Sequence, residues 1–148
     1  MSLDDWLSFG WLQEHPPSQQ EIADLFAIAD RDLEACATPN LIADWRFNIA
    51  CNAASQLATA ALAAAGFRAE RSNHHFRIIQ SLEFTVGLAP STIQKSEIFR
   101  KKRNMADYER VEAVSDLEVD QMRQLAANLR TQVKRWIRQH HPSVSPEY

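Results

Sequence analysis

The chain has 148 residues, 45% hydrophobic and 24% charged, with a formal net charge of −3. That length suits a single domain able to bury roughly two thirds of its extended surface, and the balance of residue types excludes a disordered tail. Three glycines are too few for the turns of a β-rich fold, the longest apolar stretch falls far short of the roughly 20 residues of a membrane span, and Met1-Ser2-Leu3-Asp4-Asp5-Trp6 does not open like a signal peptide, so a cytoplasmic protein with no membrane role is expected.

Residues 3–11 are apolar at Leu3, Trp6, Leu7, Phe9 and Trp11 and stop before Pro16-Pro17. They read as a short helix or a strap, an apolar appendage over residues 1–17. Ser18-Gln19-Gln20-Glu21 matches a capping box, in which the hydroxyl and the carboxylate satisfy orphan amides at a helix start. Ile22, Leu25, Phe26, Ala29, Leu33 and Cys36 follow at spacings of three and four, one face of a helix. Thr38-Pro39 supplies an N-cap and a first-turn proline for a second, longer helix through Leu41, Trp45, Ile49, Ala53, Leu57 and Ala61, which Gly66 ends. Its many alanines allow close approach of neighbouring helices. Ser72 opens a third helix with Phe76, Ile79, Leu82 and Val86, and Pro90-Ser91 a fourth through Ile93, Ile98 and Phe99. Ser115-Asp116-Leu117-Glu118 is a second capping box, starting a last helix that must stop by Pro142. The prediction is an all-α fold, an up-and-down antiparallel four- to five-helix bundle over residues 18–141, followed by a flexible tail over 142–148.

Charge is unevenly spread. Residues 1–66 carry nine acidic and two basic side chains, whereas 67–148 carry ten acidic and fourteen basic, which allows a local basic surface on an acidic protein. Cys36 and Cys51 form no CxxC pair and read as buried apolar residues. Glycine-rich phosphate loops, GxSxG, HExxH and paired Glu-x-x-His motifs are absent from the sequence, and neither a metal site nor a cofactor is expected. In the adjacent pairs His74-His75 and His140-His141, the two members point about 100° apart on a helix, so each pair reads as a solvated helix end.

The distinctive segment is Phe99-Arg100-Lys101-Lys102-Arg103-Asn104-Met105-Ala106-Asp107-Tyr108-Glu109. Four consecutive cations spread around most of a helix. In the structural reading, Asp107, Glu109 and Glu112 neutralise them through local pairs worth a few tenths of a kcal/mol, roughly. In the functional reading, Arg103 and its neighbours Arg100 and Lys102 hold a phosphate.

Arg103-Asn104 followed by Tyr108 resembles the HEPN superfamily of helical bundles, whose signature is Arg, a polar residue that is often Asn, and a later His, here replaced by Tyr108. The resemblance extends over about residues 18–141 in helix order, but its specific part is this short motif. It implies an RNA-binding protein or a metal-independent endoribonuclease, a toxin–antitoxin component with a nucleotidyltransferase-type antitoxin as partner, and a homodimer whose two motifs line one cleft. Arg103, Asn104 and Tyr108 would then be the catalytic set, with Arg100, Lys102 and Arg103 binding phosphate. The tyrosine weakens catalysis, because a phenol near pKa ~10 is protonated at neutral pH where an imidazole near ~6.5 exchanges its proton. Binding is left nearly intact. Positions 103 and 108 stand about 140° apart on an ideal helix. Either the helix is distorted there or two chains share the cleft. The alternative is a non-catalytic dimeric helical interaction module, in which Trp6, Phe9 and Trp11 dock a partner or, equally, close the domain's own core.

Overall fold

The computed structural model describes the main chain of residues 1–108 and 114–146, and the side chains of all of these except 103–108. The protein is mainly helical. Its helices are α1 (Leu3–Ser8), α2 (Gln19–Ala35), α3 (Ala43–Ala64), α4 (His74–Gln80), α5 (Pro90–Tyr108) and α6 (Asp116–His140), with 3₁₀ turns at Ser81–Glu83 and Pro142–Val144. Two short strands, β1 (Leu12–Glu14) and β2 (Phe67–Ala69), add a small sheet to the expected helical fold. They pair antiparallel, Leu12 opposite Ala69 and Glu14 opposite Phe67. Gly66, at φ +94°, turns the chain out of α3 into β2. Its carbonyl accepts from the His15 amide at 2.8 Å, which extends the ladder by one bond.

The core is built on α3, which packs most extensively against α2 and α6. Ala50, Ala53, Ala54, Ala58, Ala60 and Ala61 are buried on it beside Phe47, Leu57 and Leu62. Alanine on several sides of one helix lets its neighbours approach at the short end of the usual 8–10 Å range. The opposing surfaces are Ile22, Phe26 and Ala29 on α2 and Met122, Ala126, Leu129, Val133 and Ile137 on α6.

Ion pairs and hydrogen bonds at the helix ends give the directions. Arg46, at the start of α3, pairs with Asp116 at the start of α6, so these two run the same way. Gln19 of α2 donates to the Ser145 carbonyl beyond α6 at 2.9 Å, and Lys102 late in α5 pairs with Glu118 early in α6. Thus α2 and α5 run opposite to α6. A half-buried polar contact also joins α2 to α3, with Asn52 donating to Asp32 at 2.6 Å, while Arg130 of α6 forks onto Asp30.

Most helix starts follow the sequence. Ser115 and Glu118 form the full reciprocal box. At α2 only half of the box forms: the Ser18 hydroxyl accepts from the Glu21 amide, while the Glu21 carboxylate is taken by His15 at 2.7 Å. Helix α3 begins at Ala43, later than Thr38-Pro39 suggests, because Asn40 adopts φ +67° and turns the chain before the helix can start. The N-cap of α4 is Asn73, at φ +55°, in place of the expected Ser72.

Both ends of the chain pack inward. Trp6 is 5% exposed and lies edge-on to Trp11 and Phe84, at 5.6 and 5.3 Å between centroids, and Leu12 is buried. Residues 1–14 therefore contribute to the core. At the other end, where a flexible tail is expected, Val144 is buried and Ser145 is tied to Gln19.

Candidate nucleic-acid interface

Only four residues separate β2 from α4, and within them Asn73 in the left-handed region turns the chain sharply. Asn and Gly accept this conformation with the least strain. The turn delivers Arg71, Asn73, His74, His75 and Phe76 in quick succession to one wall of an open cleft, and Arg100 of α5 stands on the other. The cleft has a volume of about 700 Å³, and among the described residues that line it none is acidic.

The wall is anchored from behind. Ile78 and Ile79 of α4 are buried, and the Arg77 guanidinium lies 3.6 Å from the centre of the Trp11 ring and 5.6 Å from that of Trp6. Stacked cations of this kind add attraction to packing. The aromatic N-terminal segment thereby fixes the helix that carries the cleft's histidines. Trp6 and Trp11 are engaged within the molecule, and of the three aromatics proposed as docking residues Phe9 is the exposed one, at 52%.

Arg100 is held by Glu97 one turn earlier, its Nε and a terminal nitrogen donating to one carboxylate oxygen at 3.2 and 3.1 Å. The other Glu97 oxygen is buried and has no hydrogen-bond partner among the described residues. This carboxylate fixes the guanidinium and offsets part of its charge. His74 and His75 lie edge to face, with centroids 5.6 Å apart and planes at 88°. The sequence reading takes this pair as a solvated helix end; in the fold it lines the same cleft as Arg100.

The remaining candidates separate. Lys102 points to α6, where it pairs with Glu118. Burial alone would raise the Glu118 pKa, but hydrogen bonds from Lys102 and Ser115 outweigh it and hold the carboxyl below its ordinary range. Lys102 thus supports the start of α6. The side chains of Arg103, Asn104 and Tyr108 lie outside the described residues, as do the expected partners Asp107, Glu109 and Glu112. The main chain remains α-helical through Tyr108. Positions 103 and 108 therefore stand about 140° apart around the axis and do not share a face within one chain.

Elsewhere, the groove between α5 and α6, about 320 Å³, is lined by neutral Thr92, Gln121, Gln124, Asn128 and Gln132 with Lys95. It is the poorer place for an anion. His140 and His141 stack beside Trp136, and burial, aided by the neighbouring His140, pushes the His141 pKa down. Cys36 and Cys51 are buried as expected, and burial raises the Cys36 thiol pKa. Among the described residues no helix is long and apolar enough to cross a membrane. No protein-family model matches the chain, and no curated protein or solved structure is significantly similar to it.

Proposed function

We propose that the protein binds RNA through the cleft between the β2–α4 turn and α5, as a HEPN-like helical domain would. The observation that carries this reading is the convergence of Arg71 and Arg100, from separate elements, on an open cleft whose described lining includes Phe76 and no acid. Two guanidinium groups suit phosphate, because each presents a planar fork of donors that stays charged at all working pH values. A neighbouring aromatic gives an unpaired base a face to stack on. Arg103 and Asn104 follow Arg100 along α5 within about 6 Å of axial rise, so the motif continues the strip of helix that begins at the cleft. The separation of positions 103 and 108 around the helix favours the homodimer that the resemblance implies, since a second chain could supply what one helix does not bring together. A nucleotidyltransferase-type partner belongs to the same proposal.

The test is the salt dependence of binding to a labelled single-stranded RNA, measured by fluorescence anisotropy. Arg71→Gln is the clean variant, because Arg71 is exposed. Losing one phosphate contact should lower affinity by about tenfold and reduce the slope of log K against log salt by about one. Arg100→Gln alone would strand the Glu97 carboxylate, so the double change Arg100→Gln with Glu97→Gln is the fair second variant. Affinity and slope equal to the parent's in both variants would remove the cleft from consideration.

A further inference from the structure

We infer that His74 and His75 are the acid–base couple of an RNA-cleaving centre in this cleft, the role that the helix α5 motif leaves to Tyr108. The inference rests on the RNA-binding reading and adds chemistry to it. The two imidazoles lie edge to face at 5.6 Å between centroids, and both line the cleft. They share the cleft with Arg71 and Arg100. Imidazole is the side chain that both takes and gives a proton near neutral pH, which a phenol does poorly. The wall that carries the pair is held by the β1–β2 ladder at one end and by Arg77 stacked on Trp11 at the other, which provides the pre-organisation such a centre needs.

The reaction fitting these groups is an internal transesterification of single-stranded RNA. One neutral imidazole removes the proton of a ribose 2′-hydroxyl as its oxygen attacks the adjacent phosphorus. The bond from phosphorus to O2′ forms, and the bond from phosphorus to the 5′-oxygen of the next nucleotide breaks. The other histidine, as imidazolium, gives its proton to that departing oxygen. The products are a 2′,3′-cyclic phosphate and a free 5′-hydroxyl. One proton is taken up and one released, with no oxidant or water consumed. Arg71 and Arg100 meet the added negative charge on the non-bridging oxygens, where fixed donors act most strongly. Phe76 stacks on a neighbouring base and favours an unpaired strand.

The experiment incubates the full-length protein with end-labelled single-stranded RNA in the presence of EDTA and resolves the fragments. Cleavage with cyclic-phosphate ends is expected. His74→Gln and His75→Gln should each slow it by about a hundredfold or more, a typical share for acid–base catalysis. Binding should weaken by no more than about threefold, which a general collapse of the cleft would not permit. RNA carrying 2′-O-methyl groups should bind and remain whole. The inference is overturned by binding without cleavage, by histidine variants that cut at the parental rate, by cleavage that EDTA abolishes, or by equal cutting of the corresponding DNA. Failure to bind RNA at all would remove the underlying reading as well, so the two failures are distinct.

Discussion

The α2–α3–α6 side of the molecule and the β2–α4–α5 side are built on opposite principles. On the first, alanines and a few large apolar groups such as Phe26, Leu57 and Ile137 are buried without remainder, and the buried Asp32 accepts a hydrogen bond from Asn52. On the second, a seven-residue helix presents His74 and His75 to an open cleft that Arg71 and Arg100 also line, and a buried carboxylate oxygen of Glu97 has no hydrogen-bond partner among the described residues. Stability is concentrated where the chain is dry and closely packed, and polar, reactive groups collect where packing is thin. A small protein can carry a cleft of about 700 Å³ because the opposite side keeps the fold together.

The contrast can be broken most forcefully in the core. Phe26→Ala removes a fully buried ring and should cost about 3–5 kcal/mol, read as a shift in the denaturant midpoint. A smaller loss, about 1–3 kcal/mol, is expected for Ala61→Leu, since Ala61 has no exposed surface and the added carbons must push α3 away from its neighbours. If Ala61→Leu were neutral, the close packing of α3 would not be the source of stability described above. Acid sharpens the comparison at the start of α6. Glu118 has a folded pKa below its ordinary value, so its contribution is present above the unfolded value near ~4.3 and is lost as pH falls through the folded one. Glu118→Gln should therefore be less stable than the parent at pH 7, with the gap closing on acidification in parallel urea titrations. The least effect belongs to the cleft: Arg71→Gln, harmful to RNA binding, should move stability by no more than about 0.5 kcal/mol.

The elements that the sequence made legible are those with strong local punctuation. Ser18, Pro90 and the Ser115–Glu118 box mark helix starts, Gly66 marks an end, and the three-and-four spacing on α2 and α6 identifies the buried faces. Strands of three residues leave no measurable alternation, so β1 and β2 were not visible. Thr38-Pro39 looks like a helix start, but the left-handed turn at Asn40 is a backbone choice that neighbouring residue types do not dictate. The cleft was half legible. Arg100 stood out through its charged surroundings, whereas His74-His75 looked like a helix end, because nothing local says that a turn after β2 will bring residue 71 opposite residue 100. Only the tertiary packing creates that neighbourhood.

The ribbon of β1 and β2 also sets an order of events during synthesis. Residues 12–14 leave the ribosome well before their partners at 67–69, and Trp6 before the Phe84 it packs against. At roughly 5–20 residues per second, the N-terminal segment waits several seconds with its tryptophans uncovered. Helices α2 and α3 can pair in that interval, since a short connection joins them. Closure of the cleft's rear wall is thus among the later steps of folding, and a nascent chain halted before residue 84 would expose an aromatic surface for chaperones to hold.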